Sequence, residues 1–594
     1  MNSRFEWRPR AVPGADSAVR LKLLRGPAAL AALHDPVLLT QWEALLAANR
    51  DAEAFQGPGF IRAWYAAYAG EWEPVLAWAY GDAGAPKGLW FLAYQARSGT
   101  LAHAGAQQAE YQRWLVPPGG DAAFVSAAWQ ALCAELPVRE LRIRYLPTQD
   151  ALQALLADQW LHQRVRWRTV PRPLMRLDAE DIRKSAAKKS NKSRVNRLKR
   201  LGKLEFRQVT DAQELARVLP TLMAFYDFRQ GAVNDSCPFI EDNRKRAFHE
   251  ALFAAGAPTC HLTVTMLDDQ PIAAFWGAVV GTSLQLGMLI HSPELAEHSP
   301  GKLHVQSLAE FLLSTGIDTL DLTPGGDAWK ERFANAHDEV WDLTLFSSPM
   351  RASRRDWAIE ARTQAKALLA DLSLEPAQVR SLLGKIKRVN PTSLIRQVSR
   401  RISEHREYRI YRLDAAQAAG RAMDSRVHES AIGDLLAFEP TEAWQRRQDF
   451  LSAALSRIEA GDRPFTIVMD GKLVHSGWLV PRQSVSRMTE VSQTLHLPDH
   501  SATLFDFYTH PSYRGRGLYG ANINHMLARA FADPSLAYAY ISVLADNGAS
   551  RKAIERAGFE YIGSFRWTRR FGRVQKSADA CFIGAKKTDA DATN

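Results

Sequence analysis

The sequence predicts a mixed α/β protein composed of several domains. Apolar runs of strand length alternate with amphipathic helical patterns along most of the chain. The 594 residues exceed what one hydrophobic core accommodates, so about two to four domains are expected. A glycine-rich turn, "SYRGRGLYG", joins a strand pattern to a helical pattern between residues 512 and 520. Hydrophobic residues make up 46% of the chain and charged residues 23%, which is typical of a globular protein.

Cysteine usage and hydropathy predict a cytoplasmic protein. The four cysteines show no CxxC or other metal-type spacing, which disfavours a disulfide framework and a metal site. The first 20 residues lack the apolar stretch of a signal peptide, and no window of about 18 apolar residues predicts a transmembrane segment. The net charge of +11 and the pI near 9.4 favour an anionic partner, whether nucleotide cofactor, nucleic acid or membrane surface.

Composition changes divide the chain into segments. Strand runs such as "PVLAWAY" and "GLWFLAY" alternate with helical patterns first, and strands return after a basic segment at about residue 190. A mostly polar, basic and helical stretch then precedes a third strand-and-helix region. We therefore expect domains at 20–170 and 171–350, a helical connector at 351–405, a domain at 406–585 and a disordered tail at 586–594.

The glycine-rich turn predicts an anion site. The strand pattern "TLFDFYTHP" ends at Pro511, and apolar residues recur at helical spacing from Tyr519. Glycines in the turn let backbone N–H groups point outward at the start of the helix, where they remain unpaired. Together with the helix dipole and two nearby arginines, these N–H groups suit a phosphate or pyrophosphate. The alternative is a plain turn without a ligand.

This turn resembles motif A of the GNAT acyltransferase superfamily, and "AYAYISVLADNGASRKAIERAGFEYIG" resembles its motif B. The resemblance implies that the turn binds the pyrophosphate of acetyl-CoA or another acyl-CoA, with no metal. It also implies that the preceding strand bonds the pantetheine arm through its backbone. The residues to which it assigns cofactor binding are Phe507, Tyr508, Thr509, Arg514, Gly515, Arg516, Gly517, Leu518, Tyr519, Gly520 and Asn547.

One departure from the family pattern concerns the proton donor. Many family members carry a tyrosine seven residues after the motif B asparagine, where this chain has Ile554. The proton donor is then a nearby tyrosine or solvent, or this domain is not catalytic. The tyrosines nearby in sequence are Tyr513, Tyr519 and Tyr561. Candidates for the general base are Asp506 and Glu490, although Asp506 has the equal alternative of a strand-edge carboxylate paired with arginine or backbone.

The resemblance also implies direct attack of the acceptor on the acyl thioester. In that mechanism the base removes a proton from the acceptor. A backbone N–H between Phe507 and His510 stabilises the oxyanion.

The earlier region resembles the CelD/BcsL-like acetyltransferases, relatives of the FemABX transferases. Three stretches carry this resemblance, in order: "FQGPGFIRAWYAAY", "HSPGKLHVQSLAEFLLSTG" and "IDTLDLTPGGDAWKERF". It implies a tandem pair of GNAT-like halves followed by a third, C-terminal GNAT domain. Ser299 and Gly301 are then expected at a cofactor-binding turn, and Lys330 and Asp321 as catalytic residues. For the last two, a structural salt bridge or a surface turn is the alternative.

The basic segment between Arg183 and Lys203 contains no acidic residue. Its partner could be tRNA, the 3′-phosphate of the cofactor, or an anionic carbohydrate or lipid. The alternative is a solvated amphipathic helix whose residues Val195, Leu198 and Leu201 pack on the domain. No aromatic residues interleave with the charges, which disfavours single-stranded nucleic acid.

These features favour an acyl-CoA-dependent N- or O-acyltransferase, with acetyl-CoA as the leading donor. Its acceptor would be a small molecule or a saccharide- or lipid-linked precursor. Two alternatives stay open: a FemABX-type aminoacyl-tRNA-dependent transferase, and a non-catalytic CoA-binding protein, which the isoleucine at position 554 favours.

Overall fold

The structure, a computed structural model, describes residues 20–81, 84–256, 258, 260–371, 403–418, 420–571, 573–579 and 581. The described residues form two compact units. The N-terminal unit comprises those in Met1–Leu222, Pro238–Ser292 and His298–Leu368. The C-terminal unit comprises those in Met223–Cys237, Pro293–Glu297 and Leu369–Asn594.

Twelve strands of the N-terminal unit form a single mixed sheet. In chain order they are β1 (Arg20–Arg25), β2 (Glu73–Tyr80), β3 (Pro86–Gln95), β4 (Thr100–His103), β5 (Glu140–Leu146), β6 (Val165–Arg176), β7 (Leu204–Gln208), β8 (His261–Leu267), β9 (Gln270–Val280), β10 (Ser283–His291), β11 (Thr319–Asp321) and β12 (Ala336–Phe346). Their order in the 12-stranded sheet is β1-β2-β3-β4-β5-β12-β6-β11-β10-β9-β8-β7.

Fifteen helices are described before residue 372. They are α1 (Gly26–Ala32), α2 (Pro36–Ala48), α3 (Glu53–Gln56), α4 (Pro58–Tyr68), α5 (Asp121–Glu135), α6 (Gln149–Ala157), α7 (Gln159–His162), α8 (Ala179–Ala187), α9 (Lys189–Leu201), α10 (Ala212–Asn234), α11 (Pro238–Glu241), α12 (Arg244–Ala255), α13 (Pro300–Ser314), α14 (Ala328–Glu331) and α15 (Pro349–Asp371).

Two parallel pairs interrupt an otherwise antiparallel sheet, and each is short. β4 pairs in parallel with β5 over two positions, and β10 with β11 over three. In each case a helix follows the first strand of the pair, α5 after β4 and α13 after β10. β12 lies between β5 and β6. The two predicted halves therefore share one sheet, and the boundary predicted at residue 170 falls inside β6.

Both faces of this sheet are covered, which explains the unbroken apolar runs of β2 and β3. Trp78 and Phe91 belong to one core cluster, whereas Ala77 and Trp90 belong to another. Because neighbouring residues of a strand point to opposite faces, a strand covered on both faces is apolar at every position.

The C-terminal unit contains a second mixed sheet. Its strands are β13 (Ser403–Asp414), β14 (His428–Glu429), β15 (Arg463–Met469), β16 (Lys472–Val480), β17 (Val485–Met488), β18 (Gln493–His496), β19 (Ser501–Thr509), β20 (Tyr538–Leu544), β21 (Glu560–Arg570) and β22 (Arg573–Ala578). Its helices are α16 (Ile432–Leu436), α17 (Arg447–Glu459), α18 (Leu518–Ala530) and α19 (Gly548–Arg556). The 8-stranded sheet has the order β14-β15-β16-β19-β20-β13-β21-β22, and β17 and β18 form a separate hairpin.

Helices α18 and α19 cover one face of this sheet. Ile523 and Met526 of α18 and Ile554 of α19 are buried against alternate residues of the central strands. On the other face, Met488 and Leu495 of the β17–β18 hairpin pack on Ile410.

The predicted mixed α/β fold is confirmed. Helix α15 occupies the start of the predicted connector, and β13 begins within its last three residues; residues 372–402 and the predicted tail at 586–594 lie outside the described residues. In the part of the chain that the structure describes, no helix is both long and apolar enough to cross a bilayer.

Candidate functional site

A cleft opens between two parallel strands of the C-terminal unit. β19 and β20 pair only from Ser501 with Tyr538 to Leu504 with Ile541, although both strands continue beyond these positions. The register between β19 and β16 shifts at the same level, and Asp506 adopts a φ of 46° there. Such a bulge bends its strand. The edges of β19 and β20 that face each other beyond residue 504 are therefore free to bond a ligand.

The glycine-rich turn lies at the end of β19 and is open to solvent. Gly515 and Gly517 have φ values of 78° and 76°, a region that glycine adopts without steric cost. A side chain added at Gly515, Gly517 or Gly520 would meet no atom within 4 Å. Gly517 precedes α18, and no side chain caps that helix end. The N–H groups of its first turn are therefore available to an anion.

The other predicted cofactor residues surround this turn. Leu518 is buried and anchors the helix, while the ring of Tyr519 lies 4.6 Å from that of Phe507. Exposed Arg514 donates from Nε to the Thr509 carbonyl at 3.4 Å. Arg516 stacks on Tyr513 at 4.7 Å, and Tyr508 packs edge-on against Phe438 at 5.4 Å. The structure thus brings the predicted turn residues together.

Asn547 has a different role from its neighbours. Its side chain caps α19 by accepting from the Ser550 amide at 3.1 Å, and the Ser550 hydroxyl in turn bonds the Tyr519 hydroxyl at 2.8 Å. Asn547 therefore caps α19, and Ser550 connects α19 to the start of α18.

One of the backbone N–H groups between Phe507 and His510 was predicted to stabilise the oxyanion, and these N–H groups do not all face the cleft. The His510 N–H donates to the Val474 carbonyl at 2.9 Å and is therefore already paired within the protein. Because successive N–H groups of a strand point to opposite edges, the Thr509 N–H points toward the cleft instead. Its side chain hydroxyl bonds His475 Nδ1 at 2.8 Å, and burial lowers the pKa of His475 to about 4, so this imidazole is neutral.

Ile554, at the family's tyrosine position, is fully buried in the core. The tyrosines proposed in its place are engaged elsewhere. Tyr513 donates to Asp470 at 3.1 Å, Tyr519 bonds Ser550, and Tyr561 bonds Ser564 at 2.8 Å.

A tyrosine that sequence reasoning missed lies between the two predicted bases. The Tyr408 hydroxyl, on β13, interacts with Glu490, Asp506 and Ser542. Burial, and then the two carboxylates, raises the pKa of Tyr408 to about 12, so it holds its proton at neutral pH. Asp506 is exposed and forms an ion pair with Arg457, as its structural alternative anticipated. Glu490, the other predicted base, also lies near the Tyr408 hydroxyl.

A second cluster lies at the end of β11 in the N-terminal unit. Asp321 is 2% exposed and accepts from the Tyr111 hydroxyl at 2.7 Å and from the Thr323 amide at 2.8 Å. Arg172 contacts Asp321 at 3.4 Å and binds Asp338 at 2.6 Å. Burial raises the pKa of Asp321, while Arg172 and Tyr111 oppose this shift.

Lys330 is buried in the same region but is fully engaged by its own turn. Its ammonium donates to the Thr323 carbonyl at 3.1 Å, the Thr323 hydroxyl at 3.2 Å and the Pro324 carbonyl at 3.2 Å. These bonds use its three donors. Asp321 and Lys330 do not form the salt bridge given as their structural alternative, because Asp321 bonds Tyr111 and Thr323 and Lys330 lies 3.6 Å from Asp327. Lys330 fixes the turn that follows β11.

Glu110 completes this cluster, which sequence reasoning did not find. Its side chain is 21% exposed and lies 3.8 Å from Arg144. Burial raises the pKa of Glu110 from 4.5 to about 7, although Arg144 and Lys330 oppose the shift. A carboxyl group that titrates near neutrality suits general base catalysis.

The predicted Ser299–Gly301 turn is closed rather than open. Ser299 precedes α13 with a left-handed φ of 52°. Gly301 is buried, and a Cβ atom there would lie 2.9 Å from the His291 ring. The glycine therefore permits close packing on His291, and not the backbone access that the sequence suggested.

Cations gather at this helix start. Burial lowers the pKa of Lys302, and three neighbouring cations lower it further, so all three lie near Lys302. These cations are Lys188, Arg194 and Arg332. Two of them come from the basic segment, which forms α8 and α9. Leu198 of α9 is buried, whereas Leu201 is 57% exposed, so the predicted packing stripe was wrong at Leu201.

A cavity of about 410 Å³ lies between α9 and α13. Asn191 lines it, and its Oδ1 is buried without a partner. Among the described residues, no group of three or more acidic, histidine or cysteine side chains could hold a metal ion.

Two family models match the chain. Residues 185–331 match the acetyltransferase (GNAT) domain and residues 430–559 the acetyltransferase (GNAT) family. The chain therefore contains GNAT domains at these two places, and the predicted GNAT resemblance is confirmed. The narrower resemblance of 20–350 to CelD/BcsL-like enzymes stays a prediction.

Similarity to solved structures is distant. A conserved protein of unknown function from Bacteroides thetaiotaomicron is 11% identical, with a TM-score of 0.36, over 52% of this chain and 97% of that chain. L-PGS from Bacillus licheniformis is 10% identical, with a TM-score of 0.35, over 54% of this chain and 94% of that chain. A tandem GNAT protein from the clavulanic acid biosynthesis pathway is 14% identical, with a TM-score of 0.22, over 62% of this chain and 99% of that chain. No curated protein matches the chain.

Proposed function

We propose that the protein is an acyl-CoA-dependent N- or O-acyltransferase, with acetyl-CoA as its leading donor. The observation that carries this proposal is the open glycine turn at the start of α18, next to the cleft between β19 and β20. The turn offers unpaired N–H groups and the Arg514 guanidinium to a diphosphate. The cleft offers free strand edges to an extended arm that carries amide groups.

The groups around Tyr408 fit direct acyl transfer. The acceptor amine or hydroxyl attacks the thioester carbonyl, a C–N or C–O bond forms, and the C–S bond breaks. Glu490 takes the proton of the acceptor, and Tyr408 returns a proton to the leaving sulfur. The Thr509 N–H stabilises the oxygen charge that develops at the carbonyl.

Isothermal titration of the full chain with acetyl-CoA tests the donor site. Gly517→Glu places a carboxylate at the turn and should abolish binding. Gly471→Glu is a matched control, because Gly471 has a φ of 71° and also lies in open space. Equal affinities of the two variants, or no binding by the unaltered protein, would contradict the proposal.

An aminoacyl-tRNA donor is the second candidate, and Lys302 with its three neighbouring cations favours it. Charged tRNA that binds tightly and loses affinity steeply with salt, in the absence of acetyl-CoA binding, would replace the first proposal. Acetyl-CoA binding without transfer to any amine or hydroxyl would indicate a non-catalytic CoA-binding protein.

We further propose that the acceptor is a small molecule or a saccharide- or lipid-linked precursor, and that the protein acts in the cytoplasm. None of the four cysteines, Cys133, Cys237, Cys260 and Cys581, forms a disulfide bond, which fits a reducing compartment.

A further inference from the structure

A wide groove lies on one face of the N-terminal sheet. It has a volume of about 1190 Å³ and is formed by β4, β5, β12 and β6 together with α15. Pockets for drug-sized ligands span about 300–1,000 Å³, so this groove accommodates more than one ring-sized group. No step of the proposed transfer in the C-terminal unit uses it.

Arginines form a regular array on the floor of the groove. Thr344 of β12 pairs with Arg142 on one side and Arg166 on the other, and Asp342 pairs with Arg168. Residues two apart on a strand share a face, and strands are about 4.8 Å apart. The array therefore extends about 10 Å across the strands and about 7 Å along them. Its members, which all line the groove, are Arg142, Arg144, Arg166 and Arg168.

The array retains free hydrogen-bond donors. Arg142 and Arg168 are 65% and 76% exposed, and they pair with Glu140 and Asp342, which also line the groove. A guanidinium carries five N–H donors, of which one carboxylate engages at most about two. The remaining donors point to a ligand with planar anionic groups, such as carboxylates.

The carboxylates in the groove favour a polyanion that carries carboxylates and hydroxyls over one that carries phosphates. Glu140 and Asp342 lie within the array, and they would repel a densely charged phosphate backbone. The same carboxylates accept hydrogen bonds from hydroxyl groups. A ligand that carries both carboxylates and hydroxyls satisfies the arginines and the acidic residues together.

We propose that this arginine groove binds a short oligosaccharide of uronic acid units. Arg144 lines the groove and lies 3.8 Å from Glu110, so the groove leads to the buried cluster around Asp321. This binding does not depend on the proposed function.

Binding is measured by titrating trigalacturonate into the full chain without an acyl donor, at about 50 mM and about 200 mM salt. We expect saturable binding that weakens with salt, because the contacts are ionic and exposed. The double variant Arg142→Gln/Arg168→Gln should lose at least about tenfold in affinity. Arg246→Gln, which breaks an exposed ion pair with Glu250 at 2.8 Å on α12, is the control and should bind normally.

Three results would overturn the proposal: no saturable binding, equal affinity for fully methyl-esterified trigalacturonate, or equal loss in the control variant. Tighter and steeply salt-dependent binding of RNA at the same arginines would assign the groove to nucleic acid. Absence of acetyl-CoA binding would overturn the proposed function and leave the groove assignment unchanged.

Discussion

The two units place a helix after the first strand of a parallel pair, yet they equip the start of that helix differently. In the C-terminal unit, glycines leave the N–H groups before α18 open to solvent. In the N-terminal unit, Gly301 packs against His291, and cations collect around Lys302 instead. One topology thus presents open backbone N–H groups in one place and side-chain charge in the other.

The largest predicted effect is on the free energy of unfolding, and it compares a buried ion pair of the N-terminal unit with an exposed ion pair of the C-terminal unit. Arg172→Gln leaves Asp321 buried without its cation and should cost about 3–5 kcal/mol of unfolding free energy. Arg457→Gln removes an ion pair to exposed Asp506 and should cost about 0–1 kcal/mol. Denaturant unfolding of both variants measures the difference. Similar costs would show that the N-terminal cluster is not a buried charge network.

Tyr408→Phe should lower kcat about a hundredfold and leave KM for acetyl-CoA nearly unchanged, because the hydroxyl donates a proton but does not bind the donor. Tyr538→Phe, on the neighbouring strand β20, is the control. Thiol release followed in an acetyl-transfer assay gives both constants. An unchanged kcat in Tyr408→Phe would return the role of proton donor to solvent or another tyrosine.

Stability should depend on pH through Glu110. Its pKa is higher in the folded protein than its usual 4.5, so the folded state binds the proton more tightly. The stabilising effect of this proton is complete below pH 4.5 and is lost as pH rises to about 7. Glu110→Gln should remove this decline, which amounts to about 3 kcal/mol. An identical pH profile in Glu110→Gln and the unaltered protein would contradict the raised pKa.

Two glycine substitutions should have opposite signs. Gly301→Ala inserts a Cβ atom against His291 and should destabilise the protein by about 1–2 kcal/mol. Gly520→Ala, in the first turn of α18 with open space around it, should stabilise the protein by up to about 1 kcal/mol. Thermal unfolding distinguishes them. Stabilisation by Gly301→Ala would mean that the two helix starts are equally open.

Local features were predictable from the sequence, and distant contacts were not. The turn from Arg514 to Gly520 lies within one short stretch, so its glycines predicted an open turn directly. Tyr111 reaches Asp321 across 210 residues, and no local pattern marks that contact. Tyr408 likewise meets Glu490 only because β13 inserts between β20 and β21.

Burial changed other expectations. Lys330 had the appearance of a free cation in the sequence, but its donors close the turn after β11. Ser299 and Gly301 had the pattern of an open turn, but His291 fills the space that the missing side chain leaves. Spacing alone does not show which neighbour occupies the room beside a glycine.

The most direct measurement is amide hydrogen exchange of the full chain with and without acetyl-CoA. Bound donor should slow exchange at residues 514–520 and at the free edge of β19 from 505 to 509, since those N–H groups would bond the diphosphate and the extended arm. Protection confined to residues 299–303 would place the donor in the N-terminal unit and contradict the account. No protection at either helix start would remove the acyl-CoA site altogether.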